Sequence, residues 1–212
     1  MPEPYLQNLI RQGEHQKLDF KFAVNDARKI ARSLVAFANT DGGTLLIGVK
    51  DNGVIAGVRS EEEIYMLDAA ASMYCRPEVK FEIRKWDFDK KSVLEVIVSR
   101  SKLRPHFVKD EEDKWLVYIR VKDQNLLANK VLMMVWEMQK GNKAAMVRYT
   151  DKEEILLHFL KNHENITLSA FCKMAFVPRF IAERILVNMV VMKIVKMELN
   201  DKGCFYSLVE EK

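Results

Sequence analysis

Residues 36–58, AFANTDGGTLLIGVKDNGVIAGV, hold five of the chain's eight glycines. An apolar helical stripe runs into a double glycine, then a β-rich run, then KDNG, then a second β-rich run. Gly42 and Gly43 supply the left-handed stop that ends a helix. Asn52 and Gly53 accept positive φ and turn a hairpin, so the pattern predicts strands over 44–49 and 54–58. Glycine-rich loops also cradle phosphates, because backbone N–H groups must come close to the anion. A Walker A loop needs G-x-x-x-x-G-K-[ST], and the chain has no such string. A dinucleotide fingerprint lies between a strand and a following helix; here a helix comes first and a strand follows. These glycines read as folding punctuation, and ATP binding ranks last among the functional readings.

The flanking patterns extend the same lobe. In HQKLDFKF, Leu18, Phe20 and Phe22 alternate with Lys17, Asp19 and Lys21, the period of a half-buried strand. Asn25 is placed to cap a helix ending near Asn39, with Ile30, Ala31, Leu34 and Phe37 on its apolar stripe. A helix over 61–74, strands near 79–86 and 92–99, an acid-tipped hairpin in RPHFVKDEEDKWLVYIRV and a helix over 126–139 complete residues 1–140. Residues 141–149 read as a linker. In residues 150–212, Thr150 and Glu153 form a capping box, Thr167 caps a short helix and Pro178 opens a third. KIVKMEL and CFYSLV follow, separated by NDKG. Three helices and a terminal hairpin in that space are the layout of a winged helix-turn-helix.

Composition sets the remaining bounds. The 212 residues carry a net charge of +4, a mild excess spread over both segments and far from a basic tail. Cys75, Cys172 and Cys204 are odd in number and widely spaced, which makes neither a disulfide framework nor a zinc knuckle. No apolar run approaches the length of a membrane span, and the N-terminal residues lack the pattern of a secretory leader. A reduced, cytoplasmic protein is the expectation.

Three acids draw attention. Glu14 lies five residues before Asp19, Lys21 shares the strand face of Asp19, and Asp51 tops the KDNG turn. One small sheet could gather the three around a hard divalent cation. The structural alternative is that Glu14 caps the strand entry, Asp19 pairs with Lys21 or Lys17, and Asp51 is a turn residue. Basic residues fall in three groups: Arg28, Lys29 and Arg32 on one helix; Arg100, Lys102, Arg104 and Lys109 before the acidic tip; and Arg179, Arg184 and Lys202 in the last segment. Each group can neutralise phosphates or simply face solvent. In the third helix Arg179, Phe180, Glu183, Arg184 and Asn188 are expected to point away from an Ile181–Ile185–Met189 core face. His106, Trp86, Trp115 and Trp136 read as structural.

GEHQKLDFKF, AFANTDGGTLLIGVKDNGVIAGV and RPHFV…VYIRVKDQNLLAN, in that order over roughly residues 5–130, resemble the Schlafen AlbA-type domain, formerly labelled a divergent ATPase. The resemblance implies an α+β fold, DNA or RNA as partner and, as in bacterial regulators, a C-terminal winged helix. It also implies a nuclease site. Nuclease-active Schlafens carry E-x4-E-x-K and a later aspartate in a metal-dependent RNA-cleaving centre. Glu14, Asp19 and Lys21 match the first three positions and Asp51 the fourth, with Mg²⁺ or Mn²⁺ as the implied metal. Asp19 stands where the family usually has glutamate. Active Schlafens hold two lobes in one chain and this chain holds one, so a comparable clamp requires a homodimer. The leading expectation is a DNA-binding transcriptional regulator that needs no cofactor to bind; the alternative is a metal-dependent endoribonuclease.

Overall fold

The alternation in HQKLDFKF yields strand β1 (Leu18–Lys21), followed by helix α2 (Ala27–Asn39) and strand β2 (Gly43–Ile47). β1 and β2 pair in parallel, Leu18 opposite Thr44 and Lys21 opposite Ile47, so α2 is the crossover that parallel neighbours require. Helix α1 (Glu3–Arg11) precedes this unit. Helix α3 (Glu62–Met73), the short strand β3 (Cys75–Arg76) and the hairpin of β4 (Phe81–Phe88) with β5 (Lys91–Val98) follow it. Asp89 and Lys90 turn that hairpin with φ of 45° and 61°. The sheet order is β1-β2-β5-β4. Small antiparallel pairings of β6 (Phe107–Lys109) with β7 (Trp115–Leu116), and of β8 (Tyr118–Val121) with β9 (Gln124–Leu127), complete an α+β arrangement. The computed structural model describes residues 3–58, 62–141 and 150–210.

Both faces of the four-stranded sheet are covered. Leu45, Ile47, Leu94, Val96 and Val98 pack against Ile30, Leu34 and Val35 of α2 and Leu67 of α3. Leu18, Phe20, Leu46 and Val93 point the other way and pack with Leu6 of α1. Each such side chain, fully buried, contributes about 1.5–3 kcal/mol. The helix start differs from expectation. Asp26, one residue after Asn25, is the N-cap and accepts from Arg28 N, since its side chain reaches the first free N–H groups.

The glycine-rich stretch shows why it is glycine-rich. A Cβ on Gly43 would lie 2.4 Å from the Phe37 ring, and one on Gly42 would lie 2.7 Å from Val98 O. Gly48 has φ of 92° and a Cβ there would meet Gly57 C at 2.9 Å. The space beside these glycines is filled by the protein's own backbone and Phe37, which leaves none for a phosphate there. The expected strand over 54–58 does not form. Gly48 O instead accepts from Ala56 N and Gly57 N, and the second run is reduced to a single Val49–Ile55 bridge.

Two units divide between Leu127 and Ala128, one helix earlier than the expected end at residue 140. The expected helix over 126–139 is shorter. Residues 124–127 are β9, and helix α4 (Lys130–Lys140) starts after its Asn129 cap. Val131 and Val135 of α4 share the core of the second unit with Leu186 and Met189, so α4 packs there. The linker at 141–149 falls, but for Gly141, outside the described residues. The second unit continues with helix α5 (Asp151–Asn162), strand β10 (Ile166–Thr167), helices α6 (Leu168–Met174) and α7 (Arg179–Val191), and strands β11 (Val195–Asn200) and β12 (Gly203–Leu208) in a sheet ordered β10-β12-β11. Thr150 and Glu153 form the expected capping box on α5. Among the described residues no helix is long and apolar enough to cross a membrane.

Candidate functional site

The polar face of β1 looks toward α2, not toward solvent. Asp19 is 3% exposed, and each of its oxygens is engaged. Oδ1 accepts from Lys21 Nζ at 2.9 Å and lies 3.4 Å from the Arg120 guanidinium, while Oδ2 accepts from Ser33 Oγ at 3.0 Å. Arg120 is itself 2% exposed. It donates to Leu18 O and to Asn125 Oδ1, both at 3.1 Å. Asn125 donates to Ser33 Oγ at 3.0 Å, which closes the network. Such a network stabilises only when every member is satisfied.

Glu14 takes the strand-entry role, with Oε1 accepting from Phe20 N at 2.8 Å. Its carboxyl group also hydrogen-bonds that of Asp19. Burial, then this bond, pushes the Glu14 pKa up. Burial pushes Asp19 up as well, but the Glu14 bond and the charges of Lys21 and Arg120 outweigh it and hold Asp19 below the usual carboxylate range. Their mutual contact thus splits the pair, with Glu14 above and Asp19 below the ordinary carboxylate range.

The expected acidic triad is a pair. Asp51 is exposed in the 50–53 turn, where Lys50 O accepts from Gly53 N at 2.7 Å. Among the described residues no three His, Cys, Asp or Glu side chains come together so as to hold a metal ion. Lys21, Arg120 and Ser33 already contact the oxygens of Asp19, and Asp51 does not join Glu14 and Asp19 in such a group. The reason lies in the register: β1 runs parallel to β2, so the Asp51 turn continues beyond the β1 end, and Asp19 faces inward.

The basic residues of the first unit lie along α2 and at its C-terminal end. Arg28 stacks on Tyr74 with 5.3 Å to the ring centroid, and Arg32 on Tyr118 at 5.0 Å. Lys29 is exposed beside them. The segment carrying Arg100, Lys102 and Arg104 is tied to the helix end by Ser101 N donating to Ala38 O at 2.8 Å. Arg100 and Lys102 are exposed and Arg104 is half-buried; burial, then the charge of Arg100, lowers the Arg104 pKa. Lys109 pairs with Asp113 at 2.8 Å. His106 is buried, with Nδ1 on Pro77 O and Nε2 on Ser101 Oγ, at 2.8 and 2.7 Å, and is structural. Trp86 donates to the buried Glu95 at 2.8 Å, as does the Tyr5 hydroxyl.

In the second unit Arg179, Phe180 and Arg184 of α7 are exposed, as is Lys202 between β11 and β12. Glu183 departs from expectation. It is 2% exposed and bonded to Lys130 Nζ at 2.6 Å and Arg179 Nε at 3.1 Å. Burial pushes its pKa up, but the Lys130 and Arg179 bonds outweigh that and lower it. The acid that would repel a phosphate is neutralised, since α4 packs over this side of α7. Sequence patterns missed Arg120, Ser33, Asn125 and Phe176. A polar Arg in the alternating run VYIRV was the available signal for Arg120; the other three carry none.

The family model of Schlafen, AlbA_2 matches residues 14–129, more than half of the chain. No curated protein matches it. Among solved structures, the DIP2311 protein of Corynebacterium diphtheriae is similar at 20% identity and a TM-score of 0.45. That match covers 64% of this chain but 26% of the other. The N-terminal domain of a RecG-related protein of Nitrosomonas europaea is similar at 20% identity and a TM-score of 0.41, over 50% of this chain and 81% of the other. With the HQKLDFKF strand, the α2 crossover and the glycine-packed turn inside the matched span, the chain belongs to the Schlafen, AlbA_2 family.

Proposed function

We propose that this protein binds nucleic acid, as a DNA-binding transcriptional regulator that acts as a cytoplasmic homodimer and needs no cofactor for binding. The observation that carries the reading is the pair Arg28 and Arg32, one helical turn apart and each laid on a tyrosine ring. A guanidinium over an aromatic ring keeps donors with which to meet phosphate oxygens. Lys29, Arg100 and Lys102 add exposed positive charge on the same lobe. The family resemblance carries the expectation of a nucleic-acid partner. In the second unit, the order α5, β10, α6, α7, β11, β12 supports a winged helix, with Arg179, Arg184 and Lys202 as its contacts. Three free cysteines suit a reducing compartment. The test is binding to duplex DNA and structured RNA across a salt titration. Saturable binding that weakens log-linearly with salt is expected; none at low salt to either overturns the reading.

A second reading, a metal-dependent endoribonuclease, is favoured by one observation, the hydrogen-bonded Glu14 and Asp19 carboxyl groups beside Lys21. Its test compares tRNA cleavage, with Mg²⁺ or Mn²⁺ added, by the wild type and Asp51→Asn. Equal activity removes Asp51 from that reading, and absence of cleavage in both removes the reading.

A further inference from the structure

Helix α6 ends in a turn that places a phenylalanine where local folding favours glycine. Val177 N bonds Cys172 O at 3.1 Å across the turn, and Phe176, at the left-handed position of this closing motif, has φ of 50°. A bulky residue in that region is disfavoured. Phe176 recovers nothing by burial, being 91% exposed. Four residues on, in the first turn of α7, Phe180 is 58% exposed. Two large aromatic side chains thus stand in water at the two ends of the α6–α7 junction, which asks for a partner.

The charge around the patch identifies the partner's chemistry. Residues 168–193 contain Lys173, Arg179, Arg184 and Lys193 against one acid, Glu183. That acid is buried and bonded to Lys130 and Arg179, and the exposed charged residues next to the phenylalanines in the chain, Lys173, Arg179 and Arg184, are all cationic. Apolar anchors within a positive field suit a polyanion that also presents apolar groups. Duplex DNA does so in its major groove, where the N-terminal turn of a recognition helix meets base edges and the thymine methyl is the apolar group on offer.

We infer that Phe180, in the first turn of α7, reads thymine methyl groups in the major groove, which makes the ligand of the second unit thymine-containing duplex DNA and not RNA. Arg179, Arg184 and Lys173 hold the phosphates on either side. The inference rests on the nucleic-acid reading above and narrows it to one ligand and one contact.

The experiment uses the full chain. A random-sequence DNA duplex pool is enriched for binders, and the enriched duplexes are then remade with deoxyuridine in place of thymidine. Wild type is expected to bind the methyl-free duplexes about fourfold more weakly for each contacted methyl, the weight of one buried methyl group. Phe180→Ala, at an exposed position, is expected to fold normally by circular dichroism and to bind both duplexes alike. Phe180→Leu is expected to keep part of the thymine preference, and Arg184→Ala to weaken both duplexes by the same factor. Equal wild-type affinity for the two duplexes overturns the inference while leaving nucleic-acid binding intact. So does a thymine preference that survives Phe180→Ala. Absence of any duplex or RNA binding overturns both readings together.

Discussion

Asp19→Asn distinguishes an acid that holds the fold from one held for chemistry. The substitution keeps side-chain volume and removes only the charge. Lys21 is one-third exposed on its side chain and can turn to water; Arg120, at 2%, cannot. The loss is therefore the penalty of stranding a buried guanidinium, about 3–5 kcal/mol when one partner of a buried pair is removed. Leu18 O, His15 O and Asn125 Oδ1 still accept from Arg120, which sets the expectation near the lower end. With a urea slope of about 2 kcal/mol/M, a loss of about 3 kcal/mol lowers the midpoint by about 1.5 M. Trp86 and Trp115 lie in the first unit and Trp136 in the second. Fluorescence in a Trp136→Phe background therefore follows the transition of interest. The Asp19 pKa is lowered in the fold, so its stabilisation is present above its unfolded pKa and is lost as pH falls through the folded one. The difference between wild type and Asp19→Asn must shrink in acid. Replacing Arg120 by Met in the same chain should restore part of the loss, because the pair is then removed as a pair. An Asp19→Asn protein as stable as the wild type, or more stable, refutes the structural account; that is the sign expected of an acid strained for activity.

Glu14→Gln has the opposite sign. The Glu14 pKa is raised, so its favourable contribution exists in acid and is lost as pH rises through the folded value. The amide keeps the acceptor for Phe20 N, and a higher urea midpoint than wild type is expected at neutral pH, converging in acid; a lower neutral midpoint contradicts it. Arg28→Ala and Arg32→Ala should each reduce the slope of log affinity against log salt by about one unit, read by fluorescence anisotropy on duplex DNA, and an unchanged slope removes that arginine from the interface. Burial, then the nearby Glu78 charge, pushes the Cys75 thiol up to about 12. A thiol reagent at mildly alkaline pH should therefore leave Cys75 unmodified in native protein and label it after unfolding, as peptide mass spectrometry would show.

Local elements were legible where periodicity and caps agree. The Thr150 and Glu153 box, the Thr167 cap, and the two alternating runs that became β4 and β5 each carry their own signal in neighbouring residues. Tertiary packing decided the rest. KDNG has hairpin chemistry, yet Gly48 O draws Ala56 N and Gly57 N to itself, and that loop pairing replaces a ladder. α4 has an apolar face that suits either side of a boundary, and only the contacts of Val131 and Val135 assign it to the second unit. In FANTDGG, Asn39 donates to His106 O and Tyr118 O and accepts from His106 N. Thr40 accepts from Arg120 N. These bonds span 67 to 80 residues of sequence, so no local pattern shows them.

The candidate site turns on one methylene. At the second acidic position of the E-x4-E-x-K element, glutamate is usual and this chain has aspartate. The shorter side chain keeps its carboxylate close to β1, where Ser33 of α2 and Arg120 of β8 meet it. An anion held by two cations and a hydroxyl has both oxygens engaged within the fold, and those partners hold its pKa below the usual range. Lengthening Asp19 to Glu in this frame cannot add a third acid, because Asp51 is carried away by the turn after β2. Glu14 and Asp19 therefore act inward, on the packing of β1 against α2. Arg28 and Arg32, over the Tyr74 and Tyr118 rings, are the cations proposed above to meet nucleic acid.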